Sequence, residues 1–271
     1  MKNLNLALVA TLTTFAIGFT ACSQSPTGRR QLELVPESQV RQMGDQAWAE
    51  LKQKTPESKN AAAKDFAHRV AARVVEATPL KGQPWDVVVF DSQQINAFAL
   101  PGGHIGVYAG ILPVAQNEAG LATVLGHEIG HVVANHSGER VSQEAVASGI
   151  VSEIGSAFGQ SQYHNVLLGA LGLGTQVGVL LPYSRKQESE ADQIGLGYLA
   201  KAGYDPKEAL AFWNRMKSST GGHEPPAFLS DHPATDERIQ RLRELLPQAE
   251  KDYASAIDKR GAGDRYPAGS R

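Results

Sequence analysis

LATVLGHEIGHVVANHS, residues 121–137, carries His127-Glu128-Ile129-Gly130-His131 inside an otherwise apolar run. On a helix, His127 and His131 lie one turn apart on a single face. That spacing lets two imidazoles share one metal ion. Glu128 stands beside the first ligand, where its carboxylate reaches a water on the metal rather than the metal itself. Leu121, Val124, Leu125, Ile129, Val132 and Val133 surround the motif, so the helix is expected to be buried. Two histidines and a glutamate in a buried helix need partners, and one metal ion supplies them. The plainer reading of the same letters is an amphipathic helix with a polar exposed face.

A catalytic zinc takes three protein ligands and keeps one position open. The metzincin extension would need Gly at 134 and His at 137, and the chain has Ala134 and Ser137. His136 lies five residues past His131. On a continuing helix it points about 140° away, at about 100° per residue, so it reads as a structural histidine at the helix end. A later glutamate is the remaining solution. In SRKQESEAD, residues 184–192, Glu188 and Asp192 share a helical face. Glu188 can bind the metal. Asp192, with Arg185 nearby, can hold a ligand histidine by accepting its Nδ1 proton. Glu190 points off that face and reads as solvated.

NAFALPGGH (96–104), HEIGH (127–131), SRKQESEAD and Asp231-His232-Pro233, in this order, resemble the zinc metallopeptidases of the HtpX and CAAX prenyl protease type. Within them the likeness is to small periplasmic lipoproteins such as LoiP and YcaL and to the catalytic domain of BepA, over roughly residues 30–246. The resemblance implies one Zn²⁺ per chain on His127, His131 and Glu188, with Glu128 as base. It also implies a zincin-like α+β domain, mainly helical, with a small antiparallel sheet bordering the active-site helix. In such peptidases the bordering strand pairs with the substrate backbone. Phe98, Ala99, Leu100, Pro101, Gly102 and Gly103 are the expected rim, where main-chain hydrogen bonds would bind many sequences. His104 reads as structural.

The chain has 271 residues, 42% of them hydrophobic and 20% charged, with a net charge of −2. This describes a globular protein and gives no case for nucleic acid. Residues 1–21 read as a secretory signal, with Lys2 ahead of an apolar stretch that is short for a membrane span. Cys22, after Ala21 and before Ser23, is the single cysteine and cannot form an intrachain disulfide. Its position reads as a lipidation site. By resemblance to bacterial lipoproteins, Ser23 implies sorting to the periplasmic face of the outer membrane. Residues 22–31 then form a lipidated tether, 32–250 the peptidase domain and 251–271 a flexible tail.

Helices are expected over 36–54, 56–77, 117–137, 139–158, 185–201, 206–218 and 234–246, with strands at 85–90, 96–100 and 105–112. His68 reads as a surface or packing residue. Residues 165–182 carry no charge and reach the lower limit of a membrane span, but their glycines favour a buried or cleft-lining segment. The Gly/Pro-rich stretch 219–231 suits a moving loop. It ends at His232, which can stabilise an oxyanion or take the open metal position.

The expected partners are unfolded or misfolded envelope proteins as substrates, the membrane through the N-terminal lipid, and outer-membrane assembly machinery. Three other readings stay open: a latent peptidase that mainly binds outer-membrane proteins, a zinc hydrolase of another bond, and a structural zinc domain in which Glu128 is idle.

Overall fold

Val87 to Phe90 is an unbroken apolar run, the pattern of a strand covered on both faces. In the computed structural model, which describes residues 22–157, 161–174, 183–219 and 226–266, it forms β3 (Asp86–Phe90), following a short N-terminal hairpin of β1 (Cys22–Gln24) and β2 (Arg30–Leu32). With β4 (Ala97–Leu100) and β5 (His104–Tyr108) it builds a sheet of order β3-β5-β4. The fold is α+β and mainly helical, as expected. The sheet is mixed rather than antiparallel: β4 pairs antiparallel with β5, but β3 runs parallel to β5. Burial on both faces is the reason a parallel pair fits here. Val89, Ala97, Ala99, Ile105 and Val107 pack into one core, while Val88, Phe90, Phe98, Leu100 and Tyr108 pack into another.

Helix α1 (Glu37–Lys54) lies in the second core. It buries Val40, Met43, Ala47, Trp48 and Leu51 at helical spacing, with Glu37 in its first turn and Lys52 and Lys54 in its last, as the helix dipole favours. Helix α2 (Ala61–Glu76), capped by the Asn60 side chain, covers the other face of the sheet. His68 is exposed on it. Beneath the sheet runs α3 (Glu118–Val133), capped by Asn117 and buried along 118–131. The chain turns at Asn135, at a left-handed φ of 51°, and starts α4 (His136–Ala147).

After α5 (Ser161–Leu168) comes a π-helical turn, Gly169–Leu173, with Leu167, Leu168, Ala170, Leu171 and Leu173 buried against the second core. This part of the uncharged stretch is a packing segment; residues 175–182 lie outside the described residues. Among the described residues no helix is long and apolar enough to cross a membrane. Helix α6 (Arg185–Lys201) opens on a full capping box between Ser184 and Gln187. Helices α7 (Lys207–Ser218), α8 (Ala227–Asp231) and α9 (Asp236–Ala254) complete the domain.

Both ends of the described chain differ from expectation. Helix α9 continues through Pro247 to Ala254 instead of stopping at 246. The segment after it returns to the start of α3, where the Asp264 and Ala262 carbonyls accept from the Glu118 and Ala119 amides at 2.9 and 3.0 Å. Those amides have no intrahelical acceptor, which is why a polar segment is held there. At the other end, residues 22–32 are a hairpin rather than a loose tether, and the Leu34 and Val35 amides just after it donate to Ser142 Oγ of α4. The expected signal, residues 1–21, lies outside the described residues.

Candidate metal centre

Glycine decides how close α3 and α6 come. A Cβ on Gly126 would sit 2.9 Å from the Gly195 carbonyl oxygen, and one on Gly195 would sit 2.7 Å from the Gly126 carbonyl carbon. One turn along, a Cβ on Gly130 would lie 3.0 Å from the Ala191 oxygen. With no side chains in the way the two backbones touch, and His127 and His131 of α3 meet Glu188 and Asp192 of α6. The C-terminal end of α8 delivers His232 to the same place.

His127, His131, Glu188 and His232 are all buried, and one ligand atom from each lies within 4.8 Å of the others. His127 Nε2 and His131 Nε2 are 3.0 Å apart, His131 Nε2 is 3.3 Å from Glu188 Oε1, and His127 Nε2 is 3.6 Å from Glu188 Oε2. Ligands about 2.0–2.1 Å from a tetrahedral zinc stand about 3.3 Å apart, so this donor set fits such an ion. The protonation pattern fits too. His127 Nδ1 lies 3.0 Å from Asp192 Oδ1, as expected for a carboxylate that fixes the ligand's tautomer. Burial, reinforced by the Arg238 charge, lowers the His127 pKa to about 4, and burial also holds His131 well below its ordinary value. Both rings are therefore neutral, the form that binds metal. Burial opposes charge on Glu188, but the facing His232 and Arg238 overcome it and keep the carboxylate ionised.

Glu128 differs from its neighbours. Burial pushes its pKa up to about 7. The Ala99 backbone hydrogen-bonds its carboxylate, while Oε1 has no hydrogen-bond partner and lies 3.4 Å from His232 Nε2. His232 Nδ1 is 2.8 Å from Glu188 Oε1 and 3.1 Å from His127 Nε2, so the ring stands inside the donor set. Facing Glu188 and Glu128 raise its pKa against the effect of burial.

The sequence reading missed Arg238. Its Nη1 donates to Glu188 Oε2 at 2.7 Å and its Nη2 to Asp192 Oδ1 at 2.5 Å, while the guanidinium lies 3.5 Å over the Trp213 ring. A signal exists in the spacing: Arg238, Leu242, Leu245 and Ala249 follow one helical face, a charge at the head of an apolar stripe. Arg185, expected in this role, is exposed at the start of α6. The place beside Asp192 is filled from α9.

His136 and Glu190 also depart from expectation. Because α3 ends before His136, the 140° rotation does not apply, and the ring folds back until its Nδ1 is 2.8 Å from His131 Nδ1. Its Nε2 is 3.1 Å from Glu190 Oε2. Glu190 is buried at 4% exposure rather than solvated. His104 is structural, 2.7 Å from Asp45 and stacked on Trp48.

The residues expected at the rim, 98–103, lie in β4 and the turn that follows it. β4 is an edge strand beside Glu128, but the Phe98 and Leu100 side chains belong to the second core. Pro101 and Gly103 are buried in the turn that follows, where Gly102 and Gly103 take φ of 104° and 89°.

Residues 61–246 match the model of Peptidase family M48. The chain belongs to this metallopeptidase family. It is 38% identical over 187 residues to the mitochondrial metalloendopeptidase OMA1 of Schizosaccharomyces pombe, an alignment covering 68% of this chain and 53% of that one. To human mitochondrial OMA1 it is 32% identical over 254 residues, 86% of this chain and 47% of the relative. To the beta-barrel assembly-enhancing protease of Escherichia coli it is 24% identical over 269 residues, 93% of this chain and 55% of the relative. The chain thus spans about half the length of these relatives. The motif reading points to small periplasmic lipoproteins and to the catalytic domain of BepA; the M48 relatives found include that bacterial protease and, beside it, mitochondrial proteases.

Proposed function

We propose that the chain is a zinc-dependent endopeptidase, anchored as a lipoprotein in the bacterial envelope, that hydrolyses peptide bonds of misfolded or outer-membrane proteins. One observation carries the peptidase reading: a carboxylate oxygen of Glu128 that makes no hydrogen bond stands beside a buried His127–His131–Glu188 donor set. A structural zinc domain would have no use for it. Zinc held by those three residues would polarise the scissile carbonyl and acidify the attacking water. Glu128, with a pKa raised to about 7, can take the water proton on Oε1 and return it to the leaving amine. The β4 edge offers an extended substrate a backbone partner next to that carboxylate.

The envelope assignment rests on the Ala21-Cys22-Ser23 motif after an apolar leader, and on the bacterial relative named for β-barrel assembly. Zinc analysis and casein cleavage test the enzyme reading. The wild type should hold one zinc and cleave casein, and a chelator should stop cleavage. A zinc-loaded chain inert towards all peptides would refute the reading. Mass spectrometry of the mature N-terminus tests the anchor, since Cys22 should be the lipidated first residue and Cys22→Ser should leave the chain unprocessed or mislocalised.

His232 supports a second reading, a latent peptidase acting mainly as a binder of outer-membrane proteins, because its ring already stands among the ligand atoms. If it blocks the open position, His232→Ala should raise proteolysis. If it stabilises the oxyanion, cleavage should fall about 10²- to 10³-fold with zinc retained.

A further inference from the structure

The chain of contacts behind His131 ends on the N-terminal arm. His131 must keep a lone pair at Nε2 to bind metal, so its proton is on Nδ1 and is donated to His136 Nδ1, 2.8 Å away. The His136 proton is then on Nε2 and is donated to Glu190 Oε2, 3.1 Å away. This is the one tautomer assignment that makes both hydrogen bonds. Glu190 accepts in turn from the arm, from Arg29 Nε at 2.7 Å and from the Thr27 hydroxyl. Arg29 Nη1 and Nη2 also clasp both oxygens of Glu139, at 2.8 and 2.7 Å.

Glu139 and Glu190 are 6% and 4% exposed, and His136 is fully buried. Two buried carboxylates this close to one another are tolerable only with a shared cation. Arg29 is that cation, and a planar fork suits the task better than an ammonium would. It comes from a short hairpin, the same one that brings the Thr27 hydroxyl to Glu190.

We infer that Arg29 is a positioning residue for the metal ligand His131, acting through Glu190 and His136, and that docking of the residue 22–32 arm and metal binding strengthen one another. The inference rests on the metal reading above. Without Arg29, Glu190 and Glu139 repel each other and the Glu190 carboxylate loses the donor that holds it in place. The carboxylate then turns outward, its hydrogen bond with His136 Nε2 is lost, and the acceptor of the His131 Nδ1 proton is no longer fixed. The ring becomes a weaker and less well aimed ligand. Linkage makes the effect reciprocal: whatever the arm adds to metal affinity, the metal adds to arm docking.

The test uses the full chain, stripped of metal and titrated with zinc against a chromophoric chelator. Glu190→Gln should weaken zinc binding about 10- to 100-fold, as for groups that orient a ligand from behind, and Arg29→Ala by about 10-fold. Arg30→Ala, at the exposed neighbouring position, should match wild type. Hydrogen exchange on the unmutated chain supplies a readout that needs no variant to fold: amides of residues 24–32 should exchange more slowly with zinc than without. An unchanged zinc affinity in folded Arg29→Ala, or arm exchange indifferent to zinc, overturns the inference. Failure of the wild type to bind zinc overturns the metal reading instead, so the two failures are distinguishable.

Discussion

His127 and His131 are one turn apart on the same helix and equivalent in the motif, yet the protein holds them from opposite directions. His127 is backed by Asp192, which is held by Arg238 of α9 over the Trp213 ring. Everything on this side is buried, and the supports come from downstream in the chain. His131 is backed by His136, then Glu190, then Arg29 of a hairpin at the other end of the described chain, where the Arg29 side chain keeps 20% of its surface exposed. One histidine is thus supported by the core and the other by an arm. A short motif places the two histidines; what stands behind each depends on which segment packs there.

The largest expected effect falls between the two sides. Glu128→Gln should keep zinc and the fold but lower peptide cleavage by roughly 10²- to 10⁴-fold, because the proton carrier is gone while the ligands remain. Zinc analysis and casein turnover check this, and loss of the metal would show that Glu128 is a ligand. Next comes the core side. Arg238→Ala leaves Glu188 and Asp192 without their cation and should cost the metal-free protein about 3–5 kcal/mol in urea unfolding. A loss no larger than that of Arg29→Ala would erase the asymmetry. A smaller change, Asp192→Ala, should weaken zinc binding about 10- to 100-fold. The smallest is Arg185→Ala, which should leave zinc affinity and cleavage unchanged. A clear loss there would return that residue to the site.

Legibility followed how local each feature was. The H-E-x-x-H pair and the Glu188–Asp192 pair are readable because residues four apart share a helical face wherever the helix lies. Glu190 shows the complementary limit: a position facing away from Glu188 reads as facing water, but the arm covers that side. His136 stays outside the ligand set, as read, but its ring points elsewhere than a continuous helix would send it, because the helix ends at Val133 and Asn135 turns left-handed. The resemblance implies an antiparallel sheet, although the unbroken apolar run of β3 favours a doubly covered, parallel pair.

By itself, the sequence determined most of the helices and placed His127 and His131 on one helical face and Glu188 and Asp192 on another, which follows from periodicity and from spacings of a few residues; the roles of ligand and base are what the family resemblance implies. Only the tertiary structure decided what surrounds them. The approach of α3 to α6 at Gly126 and Gly195, the arrival of Arg238 from α9 and the docking of Arg29 from the arm join residues separated by 46 to 161 positions. Such pairings depend on which surfaces exclude water together. No periodicity within a single helix or strand records that.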